Sequence, residues 1–187
     1  MIIWLNRKYV LLLPQIKLGL MLGSDILEQL KYDILIVDDI PDNLELLSNI
    51  LEMVGLDVRQ ANGGMAAISQ VMQQRPDLIL LDISMPEIDG YEVCRRLKNN
   101  ADTHDIPIIF LTALNDSENV VKGFKVGGQD YVTKPFNAEE LLARVKTHLE
   151  LKEKKEEIII ISSMRFKALM DGKSGYTYRL LRKNDIL

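Results

Sequence analysis

The sequence is poor in cysteine and histidine, and this scarcity excludes several classes of protein. Among 187 residues there is one cysteine, Cys94, so an internal disulfide framework is impossible. A single thiol fits a reducing compartment, and we expect a cytoplasmic location. The only histidines are His104 and His148. Metal catalysis by a histidine cluster and a histidine-paired hydrolytic triad therefore have little support.

Two glycine motifs that bind phosphate groups are also missing. No Gly-x-Gly-x-x-Gly follows a predicted strand, which argues against a dinucleotide site. No Gly-x-x-x-x-Gly-Lys occurs, which argues against a loop that binds the phosphates of a nucleotide.

No apolar run reaches the roughly 18–20 residues of a membrane-spanning helix. The first 22 residues are apolar, but Arg7, Lys8, Pro14 and Lys17 interrupt them. A signal peptide would carry its charges before one uninterrupted apolar block, so export is disfavoured. We predict no transmembrane segment and regard residues 1–30 as an unassigned, poorly ordered extension or the result of an upstream start. A peripheral amphipathic segment is the alternative.

Negative charge is concentrated in the middle of the chain. Residues 31–151 carry 20 acidic and 11 basic side chains, a net charge of −9, whereas residues 152–187 carry 5 acidic and 9 basic side chains, a net charge of +4. An acidic body is a poor surface for nucleic acid, so we expect no direct nucleic-acid binding.

Apolar strands alternate with amphipathic helices from residue 33 onwards. The five predicted strands are "DILIV", "DVRQA", "DLILLD", "IPIIFLTA" and "DYVT". Helices are predicted at "DNLELLSNILEMV", "GMAAISQVMQQ", "GYEVCRRLKN", "SENVVKGFKVG" and "AEELLARVKTHLELKEKKEE". Continuous Ile, Leu and Val strands indicate burial on both faces of a parallel sheet. The pattern predicts an α/β fold in which five helices flank a doubly wound, five-stranded parallel sheet.

Chemically distinctive side chains follow successive strands of this predicted sheet. Asp38 and Asp39 follow the first strand, Asp82 the third, Thr112 the fourth and Lys134 the fifth. Functional groups of such sheets collect beyond the carboxyl ends of the strands. Three carboxylates suit a hard cation such as Mg²⁺, and a lysine with a threonine suits a phosphoryl group. We therefore predict a Mg²⁺ site, with Asp82 as a nucleophile that can form an acyl phosphate.

Residues 31–151 resemble a response-regulator receiver domain of two-component phosphorelay signalling, which has a CheY-like (flavodoxin-like) fold. The resemblance is carried, in order, by "ILIVDD", "DLILLDISMPEIDGYEVCRRLK", "PIIFLTAL" and "GGQDYVTKPF". It implies a signalling phosphoprotein, not an enzyme acting on other substrates. Asp82 would take phosphate from a histidine kinase or a phosphotransfer protein and lose it by autodephosphorylation.

The resemblance also implies roles for individual residues of the metal site. Asp39 would bind Mg²⁺ directly and Asp38 largely through water, while Asp82 and the backbone carbonyl of Ser84 would be further ligands. Ser84 stands where the family often has a larger residue, but it would contribute only its backbone. A second small departure is Gly127-Gly128, where an Ala-Gly-Ala turn is commoner.

The remaining implied roles concern the phosphoryl group and a switch. Thr112 and Lys134 would bind the phosphoryl oxygens, and Thr112 with Tyr131 would form the switch. The switch would reshape the face of the fourth helix, the fifth strand and the fifth helix for a downstream effector or a homodimer. Asp130 and Arg144 are predicted to be available there for ion pairs across a dimer.

Two other functions use the same residues. A small phosphohydrolase with an aspartyl-phosphate intermediate would need a carboxylate two residues after the nucleophile, where this chain has Ser84. A phosphorylation-independent binding module would be expected to lack Asp39, Asp82 or Lys134, and all three are present.

We further predict a cis peptide bond between Lys134 and Pro135, because the lysine must point into the site while the chain turns away.

Residues 152–187 are predicted to be a charged linker and a short tail, with no recognised output domain. "IIIISSMRFKALMDGKSGYTYRLL" suggests a hairpin around "MDGKSG". A segment of about 30 residues is too short to be stable without disulfides, metals or a partner, so no independent domain is expected after about Glu157. The chain would be a stand-alone receiver or one whose output lies elsewhere.

Overall fold

The structure is a computed structural model that describes residues 2–6, 9–12, 32–113, 117–170 and 179–181. It divides into two compact units. Tyr32–Lys155 forms the larger unit, and Met1–Lys31 with Glu156–Leu187 forms the smaller one.

The described residues form eight strands and five helices. The strands are β1 (Ile2–Asn6), β2 (Tyr9–Leu12), β3 (Asp33–Val37), β4 (Asp57–Ala61), β5 (Leu78–Asp82), β6 (Ile108–Ala113), β7 (Asp130–Lys134) and β8 (Arg179–Leu181). The helices are α1 (Pro41–Glu52), α2 (Gly64–Gln73), α3 (Gly90–Lys98), α4 (Ser117–Lys125) and α5 (Ala138–Met170).

The larger unit contains the predicted five-stranded parallel sheet, in the order β4-β3-β5-β6-β7. The chain leaves β3 for one neighbour, β4, and then crosses to the other, β5, so the strand order reverses at β3. Ligands of doubly wound sheets bind beyond the carboxyl ends of the strands at such a reversal. The fold prediction is confirmed. The reversal lies between β3 and β5, so it is close to Asp38, which follows β3, and Asp82, which ends β5.

Both faces of this sheet are covered by apolar packing. Ile34, Leu35, Ile36 and Val37 of β3 are completely buried, and their side chains alternate between two hydrophobic clusters. One cluster includes Tyr91, Val93 and Leu97 of α3, and the other includes Leu141, Val145 and Leu149 of α5. Burial on both faces explains why the strand reads as an uninterrupted apolar run.

Helix α5 is longer than the sequence patterns suggest. It continues to Met170, so the run Ile158 to Ile161 is helical and the hairpin predicted around "MDGKSG" is wrong. No glycine or proline occurs between Ala138 and Met170, and a helix that is already formed extends at little cost through such a segment. The β-branched isoleucines resemble a strand only when they are considered alone.

The smaller unit contains a three-stranded sheet made from both ends of the chain. β1 pairs antiparallel with β2, and β2 pairs antiparallel with β8. The prediction of a poorly ordered extension is therefore wrong for β1 and β2. Pairing with β2 gives β8 backbone hydrogen-bond partners that the tail alone would lack. The other residues of the extension, and the tip predicted for the hairpin, lie outside the described residues.

Cys94 gives a test of the packing of α3. Its side chain is completely buried, and the thiol donates a weak hydrogen bond to the Val126 carbonyl at 3.5 Å. Burial raises the pKa of the Cys94 thiol from 9.0 to about 11, and the nearby cations of Lys98 and Arg95 offset only part of this rise. At pH 8 the thiolate fraction should be about 100-fold lower than for an unperturbed thiol.

We therefore expect a thiol reagent to label native Cys94 at least about 100-fold more slowly than the same chain in urea. The measurement is the labelling rate at pH 8 with and without denaturant. Equal rates in the two conditions would show that α3 does not bury this thiol.

Candidate functional site

The register of the parallel strands brings the predicted site residues to one edge of the sheet. Val37 pairs with Leu81, so Asp38 and Asp82 leave adjacent strands at the same height. Thr112 pairs with Thr133, and Ala113 pairs with Lys134, so the threonine and the lysine reach the same edge from β6 and β7. A shift of one residue between any two strands would separate these groups.

Asp38 is completely buried and has several hydrogen-bond donors. Its carboxylate accepts from the Ile40 amide at 2.9 Å, from Asn43 Nδ2 at 3.0 and 2.9 Å, and from Lys134 Nζ at 2.8 Å. Asn43, in the first turn of α1, is a contact that the sequence analysis missed. The available signal was an amide side chain five residues after a buried aspartate.

Lys134 bridges two carboxylates. Nζ lies 2.8 Å from Asp38 Oδ2 and 2.7 Å from Asp82 Oδ1. Burial alone would lower the pKa of Lys134, but hydrogen bonds and attraction from the two aspartates outweigh it and raise the pKa. Lys134 therefore remains a cation at neutral pH. Its bond to Asp38 fixes the ammonium beside Asp82.

Asp82 is 4% exposed, and the Ser84 amide donates to its Oδ2 at 3.1 Å. Burial raises the pKa of Asp82, whereas the hydrogen bond from Lys134 and the lysine charge act in the opposite direction. Asp38 adds repulsion that also raises the pKa. A nucleophilic carboxylate must be ionised, so the Asp82 carboxylate depends on Lys134 to offset its burial.

Asp39 differs from Asp38 because its Oδ1 is buried and has no hydrogen-bond partner among the described residues. One carboxylate oxygen from each of Asp38, Asp39 and Asp82 lies within 4.8 Å of the others. A buried, unpaired oxygen beside two further carboxylates is costly unless a cation satisfies it. The donor set is all oxygen, so the residues fit a hard divalent cation. The part of Ser84 as a carbonyl ligand stays a prediction.

Thr112 and Tyr131 lie beside one shallow recess. Thr112 is buried at the end of β6, and its hydroxyl donates only a long hydrogen bond, 3.4 Å, to the Ala113 carbonyl. Tyr131 is half-buried on the neighbouring strand. The recess is lined by Ile83, Phe110, Thr112, Gly123, Phe124, Asp130 and Tyr131. The two predicted switch residues therefore border the same recess.

Asp130 and Arg144 are already paired within the chain. Arg144 Nη1 lies 2.6 Å from Asp130 Oδ1, and His148 Nε2 lies 3.1 Å from Asp130 Oδ2. Asp130 and Arg144 pair with each other in the single chain because residues one strand-to-helix connection apart are close enough to pair locally. The ion pair across a dimer stays a prediction. The peptide bond between Lys134 and Pro135 is cis, as predicted.

Gly90 is a second residue that the sequence analysis did not single out for the site. A Cβ atom built on Gly90 would lie 2.2 Å from the Asp82 carbonyl oxygen, far inside van der Waals contact. The Gly90 amide donates to the Ile83 carbonyl at 3.0 Å, and the Asp89 side chain caps α3 by accepting from the Glu92 amide. The close approach of α3 to the strand end requires a residue without a side chain here.

Comparison with known proteins decides the family. The family model described as response regulator receiver domain matches residues 34–146.

This chain belongs to the response regulator receiver family. The chain is 42% identical over 152 residues to the "DNA-binding dual master transcriptional regulator RpaA" of Synechocystis, an alignment that covers 75% of this chain and 63% of RpaA. It is 45% identical over 116 residues to the "Phosphate regulon transcriptional regulatory protein PhoB" of Pseudomonas aeruginosa, covering 62% of this chain and 51% of PhoB. The chain thus spans roughly half to two thirds of the length of these relatives.

Solved structures agree with this family assignment. A response regulator from Chloroflexus aurantiacus is 39% identical and has a TM-score of 0.62, with 64% of this chain and 98% of that chain covered. The receiver fold is thus CheY-like, as predicted. In the part of the chain that the structure describes, no helix combines the length and apolar character that a membrane span requires.

The contrast between Asp38 and Asp39 leads to a stability prediction. In the absence of divalent cations, Asp39→Ala should raise the free energy of unfolding by about 1 kcal/mol, because it removes an unpaired buried oxygen and its repulsion of two carboxylates. Asp38→Ala should lower it by about 2 kcal/mol, because the Asn43 and Lys134 donors lose their acceptor.

Thermal or urea unfolding in EDTA measures both changes, and each variant is the control for the other. A loss of stability of the same size in both variants would contradict the assignment of Asp39 as the unsatisfied carboxylate.

Proposed function

We propose that this receiver takes a phosphoryl group from the phosphohistidine of a histidine kinase or phosphotransfer protein onto Asp82. The observation that carries the proposal is the position of Lys134 Nζ, 2.7 Å from Asp82 Oδ1, at an edge where three carboxylates meet. An ordinary surface ion pair needs neither burial nor the extra carboxylates. A site that must gather the charge of a phosphoryl group requires both the cation and metal ligands.

In this proposal an oxygen of Asp82 attacks phosphorus, and the bond from phosphorus to the imidazole nitrogen of the donor breaks. Lys134 is fixed by Asp38 and offers its ammonium protons to the incoming oxygens. Among the described residues, the Thr112 hydroxyl has only a 3.4 Å hydrogen bond to lose, so it could reorient toward a phosphoryl oxygen. Hydrolysis of the acyl phosphate by water would return the receiver to its starting state.

The metal of the proposed reaction is Mg²⁺. Asp38, Asp39 and Asp82 would supply carboxylate oxygens, and Ser84 would supply its backbone carbonyl. When bound, Mg²⁺ would neutralise charge on the phosphoryl group and on the carboxylates. The unpaired Oδ1 of Asp39 supports this assignment, because the described residues offer it no donor. The exposed side chain of Ser84 offers no carboxylate, which disfavours the phosphohydrolase alternative.

The proposed output is a change in the face made by α4, β7 and α5. Movement of the Thr112 hydroxyl toward Asp82 would leave room for the Tyr131 ring in the recess. A downstream effector or a second copy would recognise the changed face. RpaA is named as a DNA-binding regulator, and the alignment with this chain covers 63% of it.

The phosphoacceptor is tested with a small-molecule phosphodonor and Mg²⁺. The wild-type chain should gain one phosphate that hydroxylamine removes, as it removes acyl phosphates, and Asp82→Asn should reduce incorporation at least about 100-fold by removing the nucleophile. Asp39→Asn should lower incorporation and weaken its dependence on Mg²⁺. Mass spectrometry of the intact protein measures all three.

Asp102→Asn is the matched control, because Asp102 is exposed and lies outside the carboxylate cluster. It should be labelled as the wild type is. Equal labelling of Asp82→Asn and Asp102→Asn would remove the basis of the proposal.

The switch is tested by amide chemical shifts before and after phosphorylation. We expect the largest changes outside the immediate site in residues 112–145, because Thr112 and Tyr131 line one recess. Thr112→Val should keep phosphorylation measurable but reduce the changes near Tyr131, since the hydroxyl is lost while the size is kept. Shift changes confined to residues next to Asp82 in the wild type would contradict the switch.

A further inference from the structure

Arg144 contacts three side chains that surround the proposed switch. Its Nη1 donates to Asp130 Oδ1 at 2.6 Å, and its Nε donates to Glu140 Oε1 at 2.9 Å. Its Cζ lies 5.2 Å from the centre of the Tyr131 ring. A planar guanidinium that is fixed by two carboxylates and packed on an aromatic ring has little rotameric freedom left. Arg144 therefore presents a fixed cation to the Tyr131 ring.

Asp130 connects this cation to the backbone of Tyr131. The oxygen that accepts from Arg144, Oδ1, also accepts from the Tyr131 amide at 2.9 Å. The ring of Phe124 completes the surroundings, with its centre 6.3 Å from that of Tyr131 in an edge-to-face arrangement. Tyr131 is thus held by ring contacts to Phe124 of α4 and Arg144 of α5, and by a hydrogen bond to its amide.

The recess lies next to the ring, and Thr112, Ile83 and Phe110 line it beside Tyr131. In the proposed switch the ring would turn into the recess. A ring that turned into this space would leave the Arg144 guanidinium. The stacking contact therefore favours the present position of the ring, called outward, over a position inside the recess, called inward.

We infer that Arg144 is a positioning residue that holds the Tyr131 ring outward before any phosphate is present. Its contacts set the ratio of inward to outward rings. The consequence for signalling rests on the proposed function, because a phosphorylated Asp82 would have to shift the same ratio. The holding contact itself does not involve Asp82.

The pairing of Asp130 makes release of Arg144 feasible. His148 Nε2 lies 3.1 Å from Asp130 Oδ2, one turn beyond Arg144 on α5. If Arg144 moves away with the change of the ring, Asp130 keeps a polar neighbour and its carboxylate is not left without a contact. A carboxylate with a single partner would oppose that movement more strongly.

The test uses the full 187-residue chain labelled with 3-fluorotyrosine, and Tyr131→Phe identifies the resonance of residue 131. Arg144→Met removes the cation and keeps a long apolar side chain. It should raise the inward-to-outward ratio about two- to five-fold, as expected for the loss of a partly exposed cation–π contact. The ¹⁹F resonance of residue 131 should shift, and a soluble gadolinium chelate should relax it less.

Arg96→Met is the matched control, because Arg96 also pairs with a glutamate four residues earlier, Glu92, with a separation of 2.8 Å. It should leave the resonance of residue 131 in place. Arg144→Lys keeps the charge but loses the planar fork, so it should give a smaller shift in the same direction. It also supplies a conservative variant if Arg144→Met folds poorly.

The same spectra are recorded in an Asp82→Asn background, which cannot form the proposed acyl phosphate. The Arg144→Met shift should persist there, so a failure of the proposed phosphorylation would not imitate a failure of this inference. An unchanged resonance of residue 131 in both Arg144 variants, or an equal shift in Arg96→Met, would overturn it.

Discussion

The candidate site depends on one lysine shared by two buried aspartates. Asp38 is completely buried and Asp82 is nearly so, and their carboxylates repel each other at the point where the strand order reverses. Lys134 lies within 2.8 Å of both, so its charge makes the pair tolerable. The three groups come from β3, β5 and β7 or the residues directly after them. Their meeting is possible only in the parallel register that the apolar strands impose.

The buried carboxylates at this edge of the sheet differ in how well their oxygens are hydrogen-bonded. This difference supports the proposed cation site. Asp38 has donors from the backbone, from Asn43 and from Lys134, whereas Oδ1 of Asp39 has none among the described residues. A stable structural cluster would satisfy each buried oxygen. One satisfied and one unsatisfied aspartate, adjacent in sequence, instead support the proposal of a rigid carboxylate beside a cation site.

Most of this arrangement could be predicted from the sequence, because strands buried on both faces have a distinctive apolar pattern and the polar residues follow their ends. Asn43 was missed because an amide in the first turn of a helix is usually only a surface residue. The pairing of Arg144 with Asp130 within one chain was not predicted, because sequence spacing cannot show whether an ion pair forms within one chain or between two. The length of α5 and the sheet of β1, β2 and β8 escaped prediction because they depend on helix propagation and on pairing between distant segments.

Strand β7 connects the site to the proposed switch. Successive residues of a strand point to opposite faces, and accordingly Val132 packs in the cluster beside α5 while Tyr131 packs against the other cluster. Lys134 ends the same strand and is held by the carboxylates, whereas Tyr131 is its second residue and contacts Arg144. β7 pairs with β6 along the whole length of β7, from Asp130 to Lys134. In the proposed switch, a change at the lysine would reach the tyrosine through this strand, because its ladder with β6 leaves no room for slippage.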